Sequence, residues 1–361
     1  VTDPTTELEA AAEPEILCDV RGHAGVITLN RPRALNALTL GMVRGLAKAL
    51  DAWEHDPAIR HVVVMGAGEK AFCAGGDIRH LYELGKAGQI AQARSFWREE
   101  YVLNARIKAY PKPYVALIDG IVMGGGVGVS LHGSHRVAGE RYLFAMPEVG
   151  IGFFPDVGAT HALPRLPGAT GTWLAVTGER VGQADALALG LATHAIASSA
   201  MAGLLAALVE GEDVDAALAA CAAPAPQQTA APSPLSANRA LIDHAFSAAT
   251  VEDIIDRLGA LSDANPFAAR LLSAMATKSP TSMKLALAQM QAGGALSFAE
   301  AMRAEFRIVS RIATSHDFRE GVRAVIIDKD NKPSWQPARL ADVDGAMVAA
   351  YFAALPDDLV I

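Results

Sequence analysis

Two glycine-rich segments, each downstream of a short apolar run, constrain this chain more than any other feature. Residues 61–65 read as a buried strand, followed by Ala71-Phe72-Cys73-Ala74-Gly75-Gly76-Asp77. Residues 114–118 read as a second, followed by Met123-Gly124-Gly125-Gly126-Val127-Gly128. Glycine leaves backbone N–H groups open that a larger side chain would shield. The second segment also opens a predicted helix over 126–131, whose free N–H groups and dipole favour negative charge. Two such cradles suggest an oxyanion hole, in which each fixed donor is worth roughly 3 kcal/mol at the transition state.

The spacing excludes other uses of glycine. A dinucleotide fingerprint starting at Gly124 would need a small residue at Val129, and one starting at Gly126 would need it at Leu131. No Gly-Lys-Ser/Thr follows, so this is not a nucleotide phosphate loop. Gly128-Val129-Ser130-Leu131-His132 departs from the serine-hydrolase elbow at His132, and Ser130 reads as a packing residue.

The flanking pattern is α/β. Residues 16–20 and 25–29 predict a hairpin. Thr39 is placed to cap a helix whose apolar positions Met42, Val43, Leu46, Leu50 and Trp53 recur until Asp56-Pro57. Strand and helix alternate again through residue 131, as layered α/β folds require. Residues 78–108 are charged and helix-compatible, which predicts a helical lid or an insertion. Four prolines (Pro224, Pro226, Pro232 and Pro234) mark a linker, and from Ser236 onward amphipathic patterns predict helices, including Met283, Leu287, Met290 and Phe298, Met302, Phe306, Val309. The division predicted is a tail over 1–14, a core over 15–222, a linker over 223–235 and a helical region over 236–361.

Composition narrows the partners. With 361 residues, 51% of them hydrophobic, the chain can bury a sizeable core. A net charge of -8 without any Lys/Arg block argues against nucleic acid or an anionic membrane as partner. Cys18, Cys73 and Cys221 form neither a disulfide framework nor a zinc pattern, and the ten histidines show no ligand spacing. Lacking a recognisable signal or a membrane-spanning stretch, the sequence predicts a soluble cytoplasmic protein that needs no metal.

The chemistry is expected in residues 144–158, an apolar tract whose only ionisable groups are Glu148 and Asp156. Desolvation there raises a carboxyl pKa toward the range useful for acid-base work. The simpler reading makes Asp156 a helix cap and Glu148 a turn residue.

Asn30-Arg31-Pro32-x-x-x-Asn36-Ala37-Leu38, Ala71–Asp77 and Gly124-Gly125-Gly126 together resemble the enoyl-CoA hydratase/isomerase (crotonase) superfamily. The resemblance implies a spiral of ββα units with a helical C-terminal region, acyl-CoA binding, oxyanion donors at Ala74 and Gly125, and possible assembly with further copies. One departure matters: the glutamate expected three residues after the middle glycine is here Gly128. Hydration by that family's scheme sets two carboxylates around one water, so its loss argues against a hydratase. Arg98-Glu99-Glu100-Tyr101, Met146-Pro147-Glu148, Phe154-Pro155-Asp156-Val157-Gly158 and His316–Ala324 are instead similar to the 3-hydroxyisobutyryl-CoA hydrolase branch. That likeness implies thioester hydrolysis in valine breakdown with Glu148 and Asp156 as catalytic residues. Glu100 is expected to bind the substrate hydroxyl, unless it is only a solvated helix charge. Gly75, Gly76, Asp77 and Gly124 are expected to line the substrate site, and Arg33, Lys284 and Arg323 are candidates for the CoA phosphates. CoA enters as part of the substrate, with no separate cofactor. The competing readings are a hydratase or isomerase relying on Glu148 alone, and a non-catalytic acyl-CoA-binding protein.

Overall fold

The computed structural model describes residues 13–221 and 233–361, so most of the expected tail and linker lies outside the described residues. Among the described residues, ten strands form two sheets. The larger has the order β1 (Ile16–Arg21), β2 (Ala24–Leu29), β3 (His61–Gly66), β5 (Tyr114–Ile118), β7 (His135–Ala138) and β10 (His194–Ala195), with only the β1–β2 hairpin antiparallel. The smaller has the order β4 (Ala71–Cys73), β6 (Ile121–Met123), β8 (Leu143–Ala145) and β9 (Val181–Gly182).

Successive side chains on a strand point to opposite faces, and here both faces are covered. Ile27, Val62 and Val64 enter the main core, while Val26 and Val63 enter a second cluster roofed by Leu204 and Leu208. Thr39 caps the Leu40–Glu54 helix by accepting from the Met42 N–H, and all five predicted apolar positions of that helix are buried. The hairpin, the capped helix and both buried strands therefore match expectation.

Two expectations change. The helix predicted over 126–131 is a single turn, Gly125–Gly128, because three of its four residues are glycines with the poorest helix propensity after proline. The 78–108 segment is helical, as expected, but packed into the core rather than set over the site as a lid. It forms helices Ile78–Lys86 and Ile90–Lys108, and the second buries Ala93, Phe96, Trp97, Glu100, Tyr101 and Asn104 along one face. Beyond residue 233 the chain is helical, and Met302 and Phe306 of the Phe298–Ile312 helix share the main core with Leu29 of β2.

Trp97 ties three parts of the molecule together. It is 2% exposed, stacks on Phe153 at 5.9 Å and meets Phe318 edge-on at 6.3 Å. Truncating so large a buried ring leaves a cavity, so Trp97→Ala should cost about 3–5 kcal/mol in urea unfolding. A loss below about 1 kcal/mol would show that this junction is not a packed one.

Candidate active site

The smaller sheet assembles the site. Strands β4, β6 and β8 are parallel, pairing Ala71 with Ile121 and Met123 with Ala145. Their C-terminal ends therefore lie side by side, the edge at which parallel sheets bind ligands. β4 delivers Gly75 and Gly76, β6 delivers Gly124 and Gly125, and β8 delivers the tract that reaches Glu148. These residues line one cavity of about 430 Å³ with Glu100 and Asp156, between apolar walls that include Phe96, Trp97 and Phe153.

Glycine is required at the junction. Gly124 has a φ of +46°, and a side chain there would start 3.2 Å from Glu148 Oε1. A side chain on Gly125 would start 2.7 Å from Glu100 Oε1 and 3.2 Å from the Gly76 nitrogen. Both glutamates thus press on the glycine turn.

One predicted donor is corrected. The Ala74 N–H donates to the Leu35 carbonyl at 3.0 Å, so it is already spent although Ala74 lines the cavity. Among the described residues, the Gly76 and Gly125 N–H groups have no backbone or side-chain acceptor, and they lie next to each other. Asp77 is a second correction, because its carboxylate faces away from the cavity. It caps the Ile78–Lys86 helix at the His80 N–H and pairs with Arg31 at 2.9 Å. Two phosphate candidates are also engaged elsewhere: Lys284 pairs with Glu252 at 2.6 Å, and Arg323 with Glu320, Asp328 and Asp330. Lys278, which the sequence did not single out, does line the cavity, and burial lowers its pKa.

Glu100, Glu148 and Asp156 are all buried, so Glu100 is not a solvated helix charge. Nor does Asp156 cap the following helix: the Ala159–Ala162 turn begins at Gly158 without any side-chain cap. Asp156 Oδ2 instead accepts the Tyr101 hydroxyl at 2.8 Å. Among the described residues, Glu148 Oε2 and Glu100 Oε1 have no hydrogen-bond partner. Both oxygens are therefore open to a hydrogen-bond donor entering the cavity. Burial, and then the nearby Asp156 charge, pushes the Glu148 carboxyl well above its ordinary range; Glu100 is raised by burial, Asp156 and Glu305. Burial lifts Asp156 to about 7, against the opposing effect of the Tyr101 bond. The sequence reading missed Tyr101 and Glu305 as parts of this network. Each stands in an otherwise apolar helical stripe, and that was the available signal.

Ser130 turns away from the cavity and bonds the Gly126 carbonyl at 2.7 Å, as expected of a packing residue. Among the described residues no helix is long and apolar enough to cross a membrane.

The enoyl-CoA hydratase/isomerase family model matches residues 24–352, nearly the whole chain. The chain belongs to the enoyl-CoA hydratase/isomerase family. Within it, the chain is 46% identical to a Danio rerio protein named "3-hydroxyisobutyryl-CoA hydrolase, mitochondrial", over 97% of this chain and 92% of that one. A Rattus norvegicus protein of the same name is 46% identical over 94% and 89%. Among solved structures, one titled as a carnitinyl-CoA dehydratase from Mycobacterium thermoresistibile superposes with a TM-score of 0.90 at 44% identity, covering 96% of this chain and 98% of that one. The crotonase-type α/β fold expected from the motifs is therefore correct. The expected cytoplasmic location is not: the Danio and Rattus relatives are named as mitochondrial proteins, which overturns it.

The buried acid of this family member has a stability consequence. Asp156 has its pKa raised from 3.8 to about 7, so the native state holds a proton that the unfolded chain releases. Its contribution to stability is full below pH 4 and is lost as pH rises through 7, on the order of 4 kcal/mol at most. Asp156→Asn removes that loss. Calorimetry should find the variant's Tm advantage over the parent larger at pH 8 than at pH 5, and an advantage independent of pH would refute the buried-acid assignment.

Proposed function

We propose that this protein hydrolyses 3-hydroxyisobutyryl-CoA to 3-hydroxyisobutyrate and CoA, and that it thereby serves valine degradation. The observation that carries the reading is the pair of buried carboxylates, Glu148 and Asp156, beside two open glycine N–H groups, while the family's other hydratase carboxylate position holds Gly128. The names of the Danio and Rattus relatives support the same substrate.

In the proposed reaction the thioester oxygen sits between the Gly76 and Gly125 N–H groups, which stabilise the charge that develops on it. Glu148 acts on the carbonyl carbon in its ionised form, the charge of the pair resting on it while Asp156 keeps the proton. It either draws a proton from an attacking water or attacks directly to give a mixed anhydride that water then opens. In both routes the C=O electron pair moves onto the oxygen, returns, and expels the CoA sulfur, to which Asp156 supplies a proton that it regains from the attacking water, directly or through Glu148. Glu100 binds the 3-hydroxyl through its unpartnered oxygen, which selects against acyl groups lacking that hydroxyl. The reaction calls on no cofactor beyond the CoA carried by the substrate.

Thiol release from 3-hydroxyisobutyryl-CoA, set against absorbance loss from crotonyl-CoA, tests the assignment. Hydration without thiol release would make the protein a hydratase. Glu148→Gln should keep CoA binding while kcat falls by about 10³-fold or more. Full activity in that variant would remove Glu148 from the chemistry.

The sign of the pH dependence follows from Asp156. Its proton is retained up to about 7, so the acid is available below that pH and absent above it. kcat/KM should decline on an alkaline limb near pH 7, and Asp156→Asn should lack that limb. An identical limb in the variant would assign it to another group.

A further inference from the structure

The stretch that carries Asp156 is held in a conformation it would not adopt alone. Val157 has a φ of +52°, in the left-handed region that β-branched residues avoid, and Gly158 follows at +90°. This double turn swings the Gly158 and Thr160 N–H groups to one side. There a single carboxylate accepts both: Glu305 Oε2 takes Gly158 at 2.8 Å and Oε1 takes Thr160 at 2.9 Å. Glu305 is completely buried and sits on the distant Phe298–Ile312 helix, and no ion pair to a cation is formed by it among the described residues. A carboxyl buried without a cation is costly, and burial pushes its pKa up to about 8, but with or without its proton both oxygens can accept an N–H. What it supplies that an amide cannot is two acceptor oxygens aimed at two N–H groups, since Gln offers one acceptor and one donor.

The same stretch is gripped from other sides. Gln289 donates to the Pro155 carbonyl at 2.8 Å and to the Thr160 hydroxyl at 2.7 Å, and the His132 ring meets the Val157 carbonyl at 2.6 Å. Resting on the hydrolase reading above, we propose that Glu305 is a positioning residue for the reaction. By clasping the Gly158 and Thr160 N–H groups it locks Val157 in its left-handed conformation and so aims the Asp156 carboxylate at the Tyr101 hydroxyl and into the acyl cavity. Glu305 itself does not line that cavity, so its effect reaches the substrate through Asp156.

The test compares Glu305→Gln with Glu300→Ala. Glu300 lies on the same helix, in the exposed capping box with Ser297, and its side chain bonds no residue of the Asp156 loop, so its loss weakens the helix while the Glu305 clasp stays in place. Glu305→Gln should lower kcat roughly 10- to 100-fold, with KM and CoA affinity within about twofold of the parent. Glu300→Ala should lower Tm and leave kcat unchanged. A crystal structure of Glu305→Gln should show Val157 out of the left-handed region and the Tyr101–Asp156 bond broken. A Glu305→Gln kcat within twofold of the parent, with that bond intact, overturns the proposal. Should this variant not fold, Glu305→Asp, whose shorter carboxyl cannot hold both N–H groups, carries the test: a kcat loss at unchanged KM supports the clasp, and unchanged kcat refutes it. Absence of thiol release by the parent protein would sink the hydrolase reading alone, because the crystallographic comparison needs no substrate.

Discussion

Asp156 lies within the electrostatic reach of Glu100, Glu148 and Glu305, and all four carboxyls are buried. Their charges cannot coexist there at neutral pH without a large loss of stability, because each has lost its water and faces like charges instead. The cluster therefore retains protons where exposed acids would release them; Glu305, raised by burial to about 8 against its two backbone N–H bonds, is one example. A set of acids that shares fewer charges than members is suited to passing a proton between a water and a leaving sulfur. The same arrangement makes the site a weak point in the fold's stability.

Access to these acids depends on glycine. The Ile90–Lys108 helix comes close enough to set Glu100 over Gly125 only because no side chain stands between them. The same contact leaves the Gly125 N–H facing the cavity beside that of Gly76. Backbone donors and side-chain acids so share one small volume, the donors fixed by a parallel sheet and the acids by helices that pack on it. Clasps at the molecule's rim hold those helices: Arg94 reaches Asp357 at 3.0 Å on one, and Arg307 reaches Asp358 at 2.7 Å on the other.

Much of this was legible in the residues. The hairpin, the Thr39 cap and the buried strands follow from local pattern and turn chemistry, and the apolar tract around Glu148 and Asp156 flagged both acids. What pattern could not reveal was which N–H in the first glycine segment is free. That depends on Leu35, whose φ of +51° turns its carbonyl toward Ala74, a tertiary contact without a local signature. The charges of 78–108 point to a helix but not to where it packs. Its burial shows only when Ala93, Phe96, Trp97, Tyr101 and Asn104 are read as one face, with Glu100 standing inside it as a buried acid. Glu305 is similar, a charge within the stripe of Met302, Phe306 and Val309, and such a charge is costly enough to need a reason.

Gly128 separates the two chemistries that this fold could host. A side chain there would start 2.8 Å from the Asn104 amide nitrogen and 2.8 Å from Val157 Cβ. Asn104 is fully buried, with neither amide atom hydrogen-bonded among the described residues, so its side chain has taken the volume that a residue at 128 would otherwise fill. A carboxylate cannot be restored at 128 by one substitution, because it would collide with that amide and with the strained residue that follows Asp156. The departure from the hydratase pattern is therefore built into the packing of two neighbouring elements. Adding water across a double bond needs acid and base on either side of one water molecule, whereas opening a thioester needs charge stabilisation at one oxygen and a proton for one sulfur. The residues left in place, acids and paired N–H donors lining one small cavity, meet the second requirement.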